Sequence, residues 1–373
     1  MSNLMNKERL LNRFLKYVQC DSESFNEKNF CLLLEEELTA MGYAFARDEE
    51  AGKKAGSNGW NLYVKVEGED PSLDPIMLCS HLDTVSPGVG IKPVVENSFV
   101  RSSGNTILAA DDKSGIALCM ELLECLKENG TKPARTVEIL FTVCEEVGLL
   151  GSANADYSPF VSKMALALDF TGDMGYITIK SASICRLFFE VIGKPAHAAN
   201  APQDGINSFK AAMEAAVQIP TGNVDDISVM NVAEVHCASA LNIVPEKTTF
   251  GVEIRSFTVE RTNEWRDHCI ELVKQSCEKY GAKYSVREIR VIEPANVPED
   301  SVLVNHTKAA MERVGIAPKP LAIYGGSDAT HLFNNGIHAC CICTGMDGAH
   351  ALSEFLNLED FSKASDLIWE LTR

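Results

Sequence analysis

Near the amino terminus, Leu10, Leu11, Phe14, Leu15 and Val18 recur at helical spacing, interrupted by Lys7, Glu8, Arg9, Arg13 and Lys16. The segment therefore reads as an amphipathic helix, not as an apolar leader. From residue 75 to 169 the pattern changes, and short apolar runs alternate with one long helical pattern. Residues 76–80 (IMLCS), 135–144 (RTVEILFTVC) and 164–168 (MALAL) read as buried strands. Between the first two, Ile116, Cys119, Met120, Leu123 and Leu126 fall on one helical face. That helix begins near Asp112, with acidic residues at its positive end, and stops at Gly130. Strands alternating with helices predict an α/β architecture, a mainly parallel sheet covered by helices on both faces.

A different order follows between about residues 181 and 292. Residues 183–193 form a predicted strand, 206–219 a helix, 227–236 and 247–256 two strands, 263–281 a helix closed by Gly281, and 283–292 a strand. This β-α-β-β-α-β order is a split βαβ, ferredoxin-like arrangement able to fold by itself. It predicts an inserted domain at 181–292, flanked by the two parts of a larger domain at 1–180 and 293–373. The second part carries a helix at 301–315, the GGSDAT loop, an apolar strand around Ile342 and a closing helix. A chain of 373 residues has room for about two such domains.

Composition changes this picture little. Hydrophobic residues at 46% and charged residues at 23% are ordinary for a folded protein. A net charge of −18, from 34 Lys+Arg against 52 Asp+Glu, opposes binding to nucleic acid. Nowhere does an uncharged apolar stretch reach the length of a membrane span. The thirteen cysteines are an odd number and sit mostly inside apolar runs, which fits a reducing cytoplasm better than a disulfide framework. Cys340, Cys341 and Cys343 read as part of a buried strand in preference to a thiolate metal site.

Parallel sheets bind ligands beyond the carboxyl ends of their strands, so the residues that follow each strand carry the chemistry. His81 and Asp83 follow the first, Glu145 and Glu146 the next, and Asp169 the third, while Asp111 and Asp112 precede the helix. His81 and Asp83 share one side of an extended chain. Adjacent carboxylates at a buried strand end, as in Glu145-Glu146, repel each other unless a cation or a shared proton compensates. Asp111-Asp112 could equally be an acidic helix start, and Asp169 or His350 alone says little. Together these residues supply imidazole and carboxylate ligands with one glutamate to spare, as metal-assisted hydrolysis requires.

The segments HLDT, AADDKSG, FTVCEEVGLLGS, LDF, GKPAHAA and NIVP, with a late histidine followed by EF, resemble the zinc-dependent peptidase family that includes peptidase T, carboxypeptidase G and aminoacylase. The likeness runs from about Arg9 to the last helix. VSPG after HLDT and the GGSDA loop are most similar to the peptidase T branch. The resemblance implies two zinc ions, with cobalt or manganese as substitutes. One would be held by His81, Asp111 and Asp169, the other by Asp111, Glu146 and His350. It further implies a cis peptide between Asp111 and Asp112, Asp83 orienting His81, and Glu145 as the general base. His197 would stabilise the oxyanion from the inserted domain, which acts as a lid. Asn242 and Arg255 match positions that contact substrate, although both could instead support the lid itself. Gly325, Gly326 and Ser327 resemble a loop that exposes backbone near the substrate, with Asp328 as its turn residue.

The implied activity is that of an aminopeptidase on short peptides, since a closing lid excludes folded proteins. An N-acyl-amino-acid or carbamoyl amidohydrolase, or a carboxypeptidase, would use the same metals, and a non-catalytic metal- or ligand-binding protein is the alternative of another class. Retention of Glu145 argues against the last. The G-x-S-x-G turn of a serine hydrolase is absent from the sequence. Family members often dimerise through the lid, so a homodimer is a further expectation.

Overall fold

In the computed structural model, which describes residues 5–373, the apolar runs pair as the alternation predicts. The strands Val137–Thr142, Ile76–His81, Met164–Phe170 and His338–Cys343 lie side by side and parallel. Antiparallel neighbours flank them, with Asn61–Val66 and Phe45–Asp48 on one side and Tyr176–Ser181 on the other. Every residue of Ile76–His81 and Val137–Thr142 is buried, as expected for strands covered on both faces. These strands belong to the first of two compact units, Met1–Ile179 with Val297–Ala322 and Ser327–Arg373.

The helix Ala110–Glu128 departs from its expected single apolar face. It is buried nearly all round, because the strand Ile76–His81 covers one side while the helices Lys7–Val18 and Leu358–Leu371 cover others. Glu121 is consequently fully buried and takes two hydrogen bonds from the Arg9 guanidinium, at 2.9 and 2.8 Å. The helix proper starts only after Asp111 and Asp112, whose backbone angles are not helical, and the peptide between them is cis. Gly130, just past the end, adopts the left-handed conformation that closes a helix without a Cβ penalty.

The second unit comprises Lys180–Asn296 and the short segment Ile323–Gly326. The β-α-β-β-α-β order is present, with a short additional strand, Gly222–Asp225. The antiparallel sheet runs Gly222–Asp225, Ser228–His236, Lys247–Ser256, Ser183–Ile192, Lys283–Ile292. Cys185, Leu187, Phe189 and Val191 alternate along their strand and form one core with Cys269, Val273 and Cys277 of the helix Val259–Tyr280. Ile323–Gly326 joins this unit through tertiary contacts, a Phe257–Tyr324 ring stack at 4.7 Å and a bond from Arg255 Nη1 to the Tyr324 carbonyl at 2.9 Å.

All thirteen cysteines are free thiols, and Cys340, Cys341 and Cys343 lie buried in the strand His338–Cys343. No described helix is long and apolar enough to cross a membrane.

Candidate metal centre

Strand register sets the site. His81 is aligned with Thr142, so that His81 ends one strand where the turn leading to Glu145 and Glu146 leaves its neighbour. Asp169 is the last but one residue of the strand on the other side, Met164–Phe170. Asp111 enters from the kinked start of its helix, and His350 from a loop where its own backbone is left-handed, φ 63°. All of these residues belong to the first unit.

The side chains converge on Asp111. His81 Nε2 lies 2.9 Å from Asp111 Oδ1 and 3.8 Å from Asp169 Oδ1. His350 Nε2 lies 3.4 Å from Asp111 Oδ2 and 2.8 Å from Glu146 Oε2. Each oxygen of one carboxylate thus faces a different imidazole. Ligand atoms of His81, Asp111 and Glu146 lie within 4.8 Å of one another. Glu145 is buried beside them, while the Glu146 Oε1 atom is buried without a hydrogen-bond partner.

Electrostatics show a demand for positive charge. Burial pushes the carboxyls of Asp112, Glu145 and Asp169 well above the usual range, and that of Glu146 upward too. Burial also opposes ionisation of Asp111, but its hydrogen bonds with His350 and His81 overcome this and hold it below the usual range. His350 is raised to about 10 by its bonds to Asp111 and Glu146. For His81, burial disfavours the cation, yet its bonds to Asp111 and Asp83 raise it well above an ordinary imidazole. Protons thus answer a clustering of negative charge that a divalent cation would answer better. The donors are imidazole nitrogens and carboxylate oxygens without thiolate, a set that suits zinc and similar divalent ions. The residues present therefore fit a metal, to which the partnerless Glu146 Oε1 would offer one more donor.

Buried carboxylates hold the loops that carry these groups. Asp83 accepts the Glu145 N–H at 2.8 Å, the Glu146 N–H at 3.2 Å and the Ser24 hydroxyl at 2.7 Å. Its carboxylate lies 3.6 Å from His81 Nδ1, whose closer partner is the Asp83 carbonyl at 2.9 Å. Asp83 is therefore at least as much an anchor for the glutamate pair as for the histidine. Glu354 accepts the N–H groups of Leu108, Ala109 and Asp111 at 2.7, 2.8 and 3.0 Å. Asp328, read from the sequence as a turn residue, is buried and accepts the hydroxyls of Thr142 and Ser152. The signal for Glu354 was its position four residues after His350; for Asp328 the sequence carries none.

The remaining predicted residues stand elsewhere. In the second unit, Val244 N–H bonds the Ala196 carbonyl and Ala198 N–H the Asn242 carbonyl, at 2.9 Å each, so that the loops of His197 and Asn242 run together. His197 is exposed, and its Nδ1 accepts N–H groups from Ala199 and Asn200 at 3.2 and 3.1 Å, which leaves the proton on Nε2. Arg255 bonds Glu253 at 2.8 Å and the Tyr324 carbonyl, next to Gly325 and Gly326. Ser327, in the first unit, is buried and caps the helix Asp328–Asn334, its hydroxyl 2.9 Å from Cys341 Sγ.

Fold and charge together define the class: a mainly parallel sheet that gathers buried imidazoles and carboxylates at its strand ends suits metal-dependent hydrolysis. The chain belongs to the Peptidase family M20/M25/M40, whose profile matches residues 77–372, and it is a peptidase of that metal-dependent family. It is similar to a peptidase T of Geobacillus sp. (strain WCH70), 26% identical over 420 residues and 98% of each chain. Among solved structures it is similar to a tripeptidase from Staphylococcus aureus, with 28% identity and a TM-score of 0.95 over 99% of this chain and 98% of the other. It is likewise similar to the aminopeptidase PepT from Bacillus cereus ATCC 10987, with 29% identity and a TM-score of 0.93 over 99% and 98%.

Proposed function

We propose that the protein is a peptidase T-like aminopeptidase that releases the first residue of short peptides, tripeptides above all, with two zinc ions per subunit. The observation that carries this reading is Asp111, whose two oxygens face the imidazoles of His81 and His350. Asp169 completes the set on one side and Glu146 on the other, at 3.8 and 2.8 Å from the respective imidazole. The similarity to a tripeptidase and to PepT, over nearly the full length of each chain, supports the substrate class.

A pair of divalent ions held by these residues would polarise a carbonyl and bring a water to a pKa near 7. The rest falls to the protein. Glu145, buried beside the ligands and raised in pKa by that burial, takes the proton from the attacking water and delivers it to the departing amine. Asp83 keeps the Glu145 backbone in place through its N–H. His197 presents Nε2–H to the peptide carbonyl, because its Nδ1 is already occupied. Arg255, Asn242 and the Gly325-Gly326 backbone serve substrate binding, in a homodimer paired through the second unit.

A panel of di- and tripeptides and N-acyl-amino acids, run on zinc-loaded protein with metal analysis of the same sample, tests this. Release of the amino-terminal residue from tripeptides is expected. Turnover of the acyl-amino acids alone would replace the reading by an amidohydrolase, and release of the carboxyl-terminal residue by a carboxypeptidase.

A further inference from the structure

Glu27 is a carboxylate the sequence did not single out, and it is fully buried. It stands at the start of the helix Lys28–Met41, yet its side chain makes no capping bond there. The carboxylate turns instead toward the loop of the predicted base. Glu27 Oε1 accepts the N–H of Cys144 at 3.1 Å and lies 3.2 Å from the Cys144 thiol. The same oxygen accepts the Phe25 N–H at 3.0 Å, while Oε2 takes the Ser57 hydroxyl. Gly59 allows this packing, since a Cβ there would come within 3.3 Å of the Glu27 Cβ.

Cys144 and Phe25 are both left-handed, with φ of 53° and 74°. L-residues other than Gly, Asn and Asp seldom adopt that conformation unless their surroundings impose it. Both backbones deliver an N–H to one oxygen of Glu27. On the other side of the same turn, Asp83 takes the next two N–H groups, those of Glu145 and Glu146. Three consecutive amides are thus held by two buried carboxylates, and the first is the one that turns the chain out of its strand.

We propose that Glu27 is a positioning residue for Glu145, its carboxylate holding the left-handed turn at Cys144 from which the Glu145 side chain departs. The inference rests on the reading of Glu145 as the general base. A displacement of about 1 Å in such a group lowers a rate about 100-fold. Glu27→Ala therefore lowers kcat about 100-fold with KM and zinc content within about threefold of the original. Glu27→Gln, which keeps an acceptor at Oε1, retains kcat within about fivefold. Cys144→Gly in the Glu27→Ala background recovers about tenfold, because glycine takes the left-handed turn without help. A merely structural Glu27 would lower the melting temperature and the fraction of folded enzyme without this split or this rescue.

Hydrogen exchange decides the matter without substrate. In Glu27→Ala the amides of residues 144–146 exchange about tenfold or more faster, while those of the strand Val137–Thr142 keep their protection. Should Glu27→Ala fail to fold, Glu27→Asp withdraws the oxygen by one methylene and gives the same exchange pattern. Unchanged exchange at 144–146 in the folded variant overturns the inference, whatever the substrate proves to be. So does a kcat within about threefold of the original in Glu27→Ala on a peptide that the unaltered enzyme cleaves. An unaltered enzyme that cleaves no peptide, with fast exchange in the variant, overturns the proposed activity and leaves the positioning intact.

Discussion

Asp111 occupies the centre of the site because, among the described residues, it is the one carboxylate with an imidazole at each oxygen, His81 at 2.9 Å and His350 at 3.4 Å. The two histidines differ in setting. His81 is buried on a sheet strand, whereas the His350 side chain is 56% exposed on a loop. In the proposed two-zinc site, replacing His350 with Ala should therefore remove one ion more than the other, lowering bound zinc from about two per chain to about one by metal analysis after gel filtration. Equal loss of both ions would contradict the division of ligands. Glu145 is not among the proposed ligands. Glu145→Gln should keep the zinc content and lower kcat by about 100- to 10,000-fold, and retention of turnover would remove Glu145 from the role of base.

The ligands are carried on loops, and loops of this kind need anchors that the strands do not supply. Asp83, Glu354 and Asp328 provide them by accepting backbone N–H or hydroxyl groups in buried surroundings. The helix Ala110–Glu128 bears the other requirement, a fixed relation between Asp111 and the sheet. It is locked from outside by the Arg9–Glu121 pair, with Glu121 fully buried and the Arg9 side chain 22% exposed. Arg9→Ala would leave that buried carboxylate without its cation, held only by the Asn6 N–H at 3.0 Å and the Cys125 thiol at 3.1 Å, and should cost about 3 kcal/mol. Adding Glu121→Gln to Arg9→Ala should recover part of the loss, read from urea midpoints. No recovery would mean that packing of the Arg9 stem, not charge, dominates.

Metal and protons act on the whole molecule by linkage. Ions that bind the folded chain alone raise its melting temperature, so chelation should lower it and added zinc restore it. An unchanged melting temperature on chelation would argue against a bound metal. A second dependence comes from His306, whose ring lies 2.9 Å from the Leu371 carbonyl and ties one helix to the end of the last. Burial lowers its pKa below 6.5; the Leu371 bond acts against this, and Arg135 and Arg313 act with it. A histidine of that kind adds stability above its unfolded pKa that is lost as the pH falls through the folded one. The melting temperature should fall as the pH drops below about 6.5, and His306→Gln, which can keep the bond but cannot titrate, should flatten that fall. Equal slopes in both proteins would exclude His306 as a source.

Periodicity and strand-end chemistry were legible from residue order alone. The parallel strands, the long helix and the β-α-β-β-α-β insertion follow from patterns spanning a few positions, whereas the ligand set His81, Asp111, Glu146, Asp169 and His350 was implied by the resemblance of whole motifs to a known family. Such patterns reflect local burial and the rule that parallel sheets carry ligands at one end. The tertiary structure decided what those patterns cannot encode. It buried the long helix on several sides, gave Ile323–Gly326 to the second unit and made Ser327 a helix cap. It also placed Glu27 at Cys144 and Glu354 at Leu108, partners separated by 117 and 246 positions in the chain. A buried carboxylate's role depends on which distant N–H it meets, and only the folded chain brings the two together.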